Sequence, residues 1–315
     1  MKNKYSILVT GCGDDIGQSI GKILKNNSLV NSLYGIDIND KTASRFIFEF
    51  FSLGLPCNHK NYINSLETFI NKNKIDLIIP ISESELRFLS KNNFSKFLGS
   101  ALLINASSKA QAIGFDKYKT VMFLKENKLP HPQTYLISEI NSEIKFPIIL
   151  KSRECSGSSK VHLIKDLKSF NFMKKKYPNF IVQEYINDLE GEYTCCAYMS
   201  SKKEFRNIIF QRELLNGYSS YGKIIENKKI SLLLEEIANK LDLIGSINIQ
   251  LRLKGGIPFV FEINPRFSST VLFRHMVGFK DLIWSIEDAL GLQISKYRSN
   301  NVGLEFFKGF SEYIK

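Results

Sequence analysis

Polar side chains that suit a metal ion and a phosphate group lie close together near residue 260. The segment 259–267 is apolar except for Glu262, Asn264 and Arg266. Side chains two residues apart in a strand share a face, so Glu262 and Asn264 are expected together, with Phe261 directed into a core. A carboxylate and an amide oxygen are ligands that suit Mg²⁺. The guanidinium of Arg266 can bind phosphate oxygens through paired hydrogen bonds.

A second segment upstream repeats this spacing. Asn248 and Gln250 alternate with apolar residues in 246–253, and a Lys-Gly-Gly turn signal at 254–256 leads into 259–263. The pattern predicts a hairpin of two strands, which would add Gln250 to the polar face. A solvent-facing polar stripe on an amphipathic hairpin is the alternative that the same spacing allows.

The elements that must position these side chains change character along the chain. Residues 1–110 alternate apolar runs with helical spacing, residues 111–185 read as a compact mixed unit, and strands dominate afterwards. Alternating strands and helices predict a parallel sheet with crossover connections in the first segment. The expected strands are 6–10, 33–38, 77–80, 101–104, 146–151, 161–164, 181–186, 192–199, 205–211, 246–253 and 259–263. The expected helices are 16–24, 66–71, 85–91, 117–127, 167–176 and 232–241.

The turn at 10–17 invites a dinucleotide interpretation, because it reads Thr-Gly-Cys-Gly-Asp-Asp-Ile-Gly. The GxGxxG fingerprint needs glycine where Ile16 stands, and the pattern of short-chain dehydrogenases needs glycine where Asp15 stands. Two acidic residues at this turn would also repel phosphate. The sequence favours a tight strand-to-helix turn without a dinucleotide over a nicotinamide-dependent oxidoreductase.

The segment 248–250 followed by 262–266 resembles the metal-binding strands of the ATP-grasp superfamily, above all the branch similar to the large subunit of carbamoyl-phosphate synthase. The resemblance covers nearly the whole chain and implies an α/β and α+β fold. It implies a Rossmann-like pre-ATP-grasp domain at 1–110, followed by a two-lobed ATP-grasp domain. The lid lobe, including its leading helix, is expected at 111–185, and the C-terminal lobe with the metal-binding strands at 186–315.

The same resemblance implies a role for each candidate residue. Two lysines would reach the phosphates, a small-residue loop would close over them, a hinge would read the adenine edge, and an acid would hold the ribose. The ATP-binding set is Lys117, Lys151, Ser156, Gly157, Ser158, Gln183, Glu184, Tyr185, Ile186 and Glu192. The metal ligands are Gln250, Glu262 and Asn264, and the catalytic contacts come from Arg266, Lys151 and Arg212.

Some assignments stay open. Glu190 competes with Glu192 for the ribose, because the run Glu-Gly-Glu leaves the register undefined. Arg212 and Lys223 resemble basic groups near the γ-phosphate or the acceptor, and each also reads as a surface charge. The family often has Asp where Cys196 stands, which puts one local polar contact in doubt.

The activity that the resemblance implies is ligation driven by ATP. Transfer of the γ-phosphoryl group turns a carboxylate into an acyl phosphate, which an amine attacks to form an amide or peptide-like bond. ADP and phosphate are released. The implied cofactors are ATP and Mg²⁺, with Mn²⁺ as a substitute, and the implied partners are small-molecule carboxylates and amines. A catalytically weak nucleotide-binding sensor or scaffold is the alternative.

The amino-acid composition argues against several other classes of protein. The 315 residues carry 43 basic and 31 acidic side chains, a net charge of +12, and the lysines are dispersed. We therefore expect anionic small molecules as partners rather than nucleic acid. Five cysteines, two of them adjacent and none in a CxxC pair, argue against a disulfide framework or a zinc site. Without a signal-peptide pattern or an apolar run of about 18 residues, we expect a cytoplasmic protein without membrane contact, compatible with a homo-oligomer.

Overall fold

The computed structural model describes residues 4–140, 144–154, 160–215, 218–297, 301–309 and 311–314. Within these segments the strands form three sheets, one of them largely parallel and two antiparallel. The mixed α/β and α+β class expected from the sequence is therefore confirmed. Of the helices in these segments, none is long and apolar enough to span a bilayer.

The first sheet belongs to the N-terminal part of the chain. Its elements are β1 (Tyr5–Thr10), α1 (Asp15–Leu24), β2 (Val30–Asp37), α2 (Ser44–Ile47), β3 (Phe50–Leu53), α3 (Tyr62–Asn73), β4 (Leu77–Pro80), α4 (Glu83–Lys91), β5 (Phe97–Leu98) and β6 (Ala101–Leu103). The strand order is β3–β2–β1–β4–β6–β5, parallel except for the β5–β6 hairpin. The runs 7–9 and 77–79 are buried, which is why they read as continuous apolar segments.

The second sheet is small and antiparallel. After α5 (Ser108–Gly114) and α6 (Lys117–Glu126) come β7 (Thr134–Leu136), a 3₁₀ turn (Ile137–Glu139), β8 (Ile148–Ser152), β9 (Val161–Ile164), α7 (Leu167–Lys176) and β10 (Phe180–Glu184). The strand order is β7–β10–β8–β9. Helix α7 begins where the Asp166 carboxylate accepts a hydrogen bond from Ser169 N at 2.8 Å. Its apolar face buries Phe170 against Leu150 and Val182 of the sheet.

The third sheet carries the predicted hairpin at one edge. Its elements are β11 (Glu192–Met199), β12 (Phe205–Leu215), β13 (Tyr218–Ile225), α8 (Lys228–Lys240), β14 (Gly245–Lys254), β15 (Ile257–Asn264), α9 (Val271–Met276), α10 (Asp281–Ala289) and β16 (Glu305–Phe307). The order is β15–β14–β11–β12–β13–β16, antiparallel throughout. The hairpin β14–β15 lies next to β11, so polar residues from three neighbouring strands can meet.

Helices from one part of the chain cover sheets of another. Phe123 and Leu124 of α6 are buried in the core of the third sheet, together with Ile249 and Ile263. Conversely, α9 and α10 pack on the first sheet, where Val271, Leu282 and Ile283 join its core. The first sheet and the third sheet are thus each packed against helices from another part of the chain. The boundaries at 110/111 and 185/186 stay a prediction.

One expectation about β15 is wrong. Strict alternation predicted Phe261 in the core, but the β14–β15 register shifts so that Gln250 pairs with Glu262 and Leu251 pairs with Val260. Phe261 is the extra residue of this bulge. Its ring lines the cavity described below, whereas Val260 occupies the core position.

Candidate functional site

A cavity of about 490 Å³ lies between the second and third sheets and reaches the turn before α1. Its walls come from strands of the second and third sheets and from residues 14–16 after β1, so the positions of the side chains depend on how these parts pack together. The predicted site residues that line it are Gln183, Glu184, Ile186, Glu192, Arg212, Gln250, Glu262, Asn264 and Arg266.

The hairpin brings the predicted metal ligands together. Gln250 lies opposite Glu262, and Asn248 lies opposite Asn264. All four side chains line the cavity, so the polar stripe faces an enclosed site and not open solvent. The alternative of a solvent-facing stripe is therefore wrong for this hairpin.

The two predicted lysines converge on Glu262 from different elements. Lys117, at the start of α6, places its ammonium 3.1 Å from a Glu262 carboxylate oxygen. Lys151, buried near the end of β8, donates a hydrogen bond of 3.0 Å to the carbonyl oxygen of Phe261. Burial lowers the pKa of Lys151 to about 7, against the attraction of Glu262. Burial raises the pKa of Glu262, but Lys117 and Lys151 together hold it below the usual value.

Asp116 fixes the position of Lys117. Its carboxylate accepts hydrogen bonds from the backbone N–H groups of Tyr118 and Lys119, and so caps α6. The same carboxylate binds the guanidinium of Arg153 through two hydrogen bonds of 3.2 and 2.5 Å. The start of α6 is therefore tied to the end of β8, from which Lys151 also comes.

Glu192 lies between two arginines. Arg212 donates to one carboxylate oxygen at 3.1 and 2.8 Å, and Arg252 donates to the other at 2.9 and 2.6 Å. Arg212 also donates a 3.0 Å hydrogen bond to the Gln250 side-chain oxygen. The sequence analysis missed Arg252. The alternation of Asn248 and Gln250, extended by one more step along β14, would have identified it.

The predicted adenine hinge follows β10. Gln183 is buried and donates to the Thr134 hydroxyl, while the Glu184 carboxylate pairs with Lys254 at 2.6 Å. The backbone carbonyl of Ile186 accepts a 2.5 Å hydrogen bond from Arg252. Gln183, Glu184 and Ile186 all line the cavity. The ring centroid of Tyr185 lies 5.8 Å from the guanidinium of Arg252.

Five predicted residues of the described segments are not part of the cavity wall: Lys117, Lys151, Tyr185, Glu190 and Lys223. The first three contact residues that are, namely Glu262, Phe261 and Arg252, whereas the last two have their contacts elsewhere. The Glu190 carboxylate accepts hydrogen bonds from the backbone N–H groups of Gly255 and Gly256, in the turn of the β14–β15 hairpin. Lys223 is half exposed, with its ammonium 3.7 Å from the Glu305 carboxylate of β16. Of the two competing acids, Glu192 is therefore the one that faces the site. Ser156, Gly157 and Ser158 lie outside the described residues.

The Gly-rich turn after β1 is held by an acid from the end of β2. The Asp37 carboxylate, at the end of β2, accepts a 2.6 Å hydrogen bond from Gly13 N. A side chain at Gly13 would collide with that carboxylate, since an added Cβ would lie 2.7 Å from its oxygen. An acid at the end of the second strand also occurs in dinucleotide-binding sheets, so this contact does not decide between the two interpretations. Asp15 and Ile16, where the fingerprints need glycine, are what argue against the oxidoreductase alternative.

Cys196 stands in β11 at the position where the sequence resemblance implies an aspartate. Its Sγ lies 3.2 Å from the Ser246 hydroxyl and 3.5 Å from the Asp281 carboxylate of α10. Asp281 in turn forms a buried ion pair with Arg274 at 2.8 Å. A carboxylate thus reaches this part of the core from a helix instead of from β11, and burial raises the pKa of the Cys196 thiol.

The donor set fits a magnesium ion held together with phosphates. Mg²⁺ in such sites uses one or two carboxylates, with the remaining oxygens from phosphate and water. Glu262 would supply the carboxylate, and Gln250 and Asn264, which line the same cavity, would supply amide oxygens. A cluster of three or more His, Cys, Asp or Glu side chains suited to a metal does not occur in the described segments. An ion here would therefore depend on oxygens from a bound nucleotide.

Similar sequences and similar folds occur among known proteins. The "Uncharacterized protein MG011 homolog" of Mycoplasma pneumoniae is 29% identical over 177 residues, 56% of this chain and 54% of that relative, so the match spans about half the relative's length. An N5-carboxyaminoimidazole ribonucleotide synthetase in complex with ADP has a TM-score of 0.76 at 13% identity, covering 95% of this chain and 80% of that one.

A second solved structure, the L-amino acid ligase from Bacillus licheniformis, has a TM-score of 0.69 at 13% identity, covering 92% of this chain and 75% of that one. At such identities the likeness shows a shared fold. A family model of the ATP-grasp domain matches residues 115–270, which include both lysines, the hinge and the β14–β15 hairpin. The chain contains an ATP-grasp domain at residues 115–270, just under half of its length.

Proposed function

We propose that this protein is an ATP-dependent carboxylate–amine ligase, which activates a carboxylate as an acyl phosphate and releases ADP and phosphate. The observation that carries the proposal is the convergence of three predicted groups on one cavity. The hinge after β10, the arginines of β12 and β14 and the oxygen ligands of the hairpin all line it. The buried ammonium of Lys151 from β8 is bonded to the carbonyl oxygen of Phe261, a residue of the cavity wall. Each group matches a different part of a magnesium–nucleotide complex.

The nucleotide would lie along the cavity from the hinge to the hairpin. Its adenine would contact the backbone around Glu184 and Ile186, and its phosphates would lie near Lys117 and Lys151. Magnesium bound with the nucleotide would be held by Gln250, Glu262 and Asn264, and would supply charge neutralisation on the phosphate oxygens. Residues 155–159 are proposed to complete the phosphate site.

The chemistry requires positive charge and alignment rather than a protein nucleophile. A phosphoryl group in transfer carries negative charge on its outer oxygens, which fixed cations stabilise. Arg266 follows β15 and lines both this cavity and a second one beside it. Burial lowers the pKa of Arg266, opposed by Glu83 and Glu262, yet a guanidinium keeps its charge at neutral pH. We propose that it contacts the transferred phosphoryl group.

The test is an ADP-release screen over paired carboxylates and amines with Mg²⁺. A productive pair should release ADP and form an amide in equal amounts. Glu262→Ala should abolish turnover. Glu235→Ala should not change it, because Glu235 is an exposed carboxylate on α8 and serves as the matched control. Normal turnover by Glu262→Ala would contradict the assigned metal site.

The sensor alternative predicts a different outcome in the same experiment. A sensor would give saturable binding of magnesium–nucleotide in calorimetry, without ADP release for any pair. A folded protein that gives neither binding heat nor ADP would contradict both functions.

A further inference from the structure

A second cavity, of about 550 Å³, opens beside the nucleotide cavity at the carboxyl ends of β1, β2 and β4. The two cavities share Asp14, Ile16 and Arg266 in their walls. A molecule in the second cavity would therefore reach the side of Arg266 that faces away from the hinge. Ligands of open parallel sheets gather at this edge, where strand ends leave a crevice.

The walls of this second cavity combine acidic groups with apolar surface. Four carboxyl groups line it, against the single guanidinium of Arg266, and no lysine or histidine lines it among the described residues. The carboxyl groups belong to Asp14, Asp37, Glu83 and Glu85. Between them lie Ile36, Leu55, Leu66 and Phe69. Such walls repel a carboxylate and suit a cation on an apolar body.

Two of the acids are already engaged by protein donors. Asp37 accepts hydrogen bonds from Gly13 N and Asn39 N at 2.6 and 2.9 Å. Glu83 binds the guanidinium of Arg87 at 3.0 and 2.7 Å. Their positions are thus fixed by the turn after β1 and by α4, and they contribute negative potential more than free acceptor capacity.

Glu85 differs, because it is buried and only partly satisfied. Its side chain is 6% exposed, and one oxygen accepts a hydrogen bond from the Tyr62 hydroxyl. A carboxylate has about four acceptor positions, and the hydroxyls of Tyr62 and Thr10 occupy only part of them. Burial raises the pKa of Glu85, whereas the hydrogen bonds from Tyr62 and Thr10 favour its charged form and oppose that rise.

A second buried group points to the same ligand position. The Thr10 hydroxyl is 4% exposed and is directed at the Glu85 carboxylate, and no described residue donates a hydrogen bond to its oxygen. Buried polar groups in folded proteins normally find partners. Thr10 and Glu85 together therefore leave acceptor positions that an ammonium group, with its three N–H donors, would fill.

We propose that the second cavity is the acceptor site, and that it takes a primary amine on an apolar body, with the ammonium beside Glu85 and Thr10. This assignment rests on the proposed ligase function. It deepens that function by giving the two substrates different places, with the activated carboxylate on the cationic side of Arg266 and the amine on the acidic side.

The test uses phenethylamine as the probe and 3-phenylpropionate as its carboxylate counterpart. Binding is measured by calorimetry, with and without Mg-ADP. We expect saturable binding of phenethylamine and none of 3-phenylpropionate. Glu85→Gln should weaken amine binding by about tenfold or more, because the buried charge that pairs with the ammonium is lost. Glu235→Gln is the matched control and should bind as the parent protein does.

A second variant keeps the test informative if Glu85→Gln fails to fold. Ser84 is exposed at the rim of the cavity. Ser84→Lys should weaken amine binding by about fivefold through charge repulsion. Ser84→Met, of similar length without the charge, should leave it unchanged.

The outcomes separate this inference from the proposed function. If Mg-ADP binds but phenethylamine does not, or if the carboxylate binds equally well, the acceptor site is wrong and the ligase proposal stands. If the amine binds equally well to Glu85→Gln and Ser84→Lys, its site lies elsewhere and the inference is overturned. If the amine binds as expected and Mg-ADP does not, the proposed function fails while the amine site remains.

Discussion

The unusual environment of Lys151 makes a quantitative prediction about nucleotide binding. Burial, joined by the positive charges of Lys117 and Arg252, lowers the pKa of its ammonium to about 7 against the attraction of Glu262. A lysine in water titrates near about 10.4. The free protein should therefore lose the Lys151 proton within the physiological range.

Nucleotide binding and protonation of Lys151 should favour each other, because the phosphates of the ligand are negatively charged. At about pH 8, a group with a pKa of about 7 carries its proton in roughly one molecule in ten. A phosphate beside Lys151 favours the charged form and raises its pKa, so binding should take up about 0.9 proton at that pH. At about pH 6 the ammonium is already formed, and uptake should fall to about 0.1 proton. Nucleotide affinity should weaken as the pH rises above about 7.

The assay is calorimetric titration of magnesium–nucleotide in two buffers whose ionisation enthalpies differ. The dependence of the observed heat on buffer ionisation gives the number of protons taken up. Lys151→Arg keeps a permanent charge and should abolish the uptake. Lys240→Arg, an exposed lysine of α8, is the control and should keep it. Uptake near zero at about pH 8 in the parent protein, or equal uptake in Lys151→Arg, would refute this account of Lys151.

Three further predictions follow from other parts of the fold. Gly13→Ala should lower the free energy of unfolding in urea by about 1–3 kcal/mol, because its Cβ would lie 2.7 Å from the Asp37 carboxylate. An unchanged midpoint of urea unfolding would contradict this close approach. Cys196→Asp should lower it by about 3 kcal/mol or more, since it buries a second carboxylate beside Asp281, and Cys196→Ser is the milder control. Arg266→Met should reduce turnover by about 100-fold while leaving Mg-ADP binding nearly unchanged in calorimetry, and equal losses in both would assign Arg266 to nucleotide binding.

Hydrophobic patterning was enough to predict most of the elements around the site. The strand at 161–164 and the helix at 167–176 were predicted to the residue, because clear period-two and helical patterns lie between polar residues there. Edge strand β3 and the short helices α9 and α10 were not predicted. Val271 and Leu282 are fixed by packing on the first sheet, which lies far away in sequence. Such contacts leave no local signal.

The features of the candidate site also differ in whether local sequence patterns predict them. The facing pair Gln250 and Glu262 follows from alternation within a hairpin, and local patterning predicts it. Local patterning does not predict the bulge at Phe261, because the bulge changes the register between two strands and no glycine marks its position. The ion pair of Lys117 with Glu262 joins α6 to β15, and only the assembled fold brings them to 3.1 Å.

The contacts of Glu192 bear on what this acid can do. A carboxylate offers about four acceptor positions, and Arg212 and Arg252 direct four N–H groups to its two oxygens. A ribose hydroxyl would have to compete with a charged donor for each position, and hydrogen bonds from charged donors are the stronger ones. Glu192 in this arrangement holds two guanidinium groups side by side, against their mutual repulsion, at the wall of the nucleotide cavity. Its predicted contact with ribose therefore requires one of the two arginines to turn away, and the phosphates are the group that could attract it.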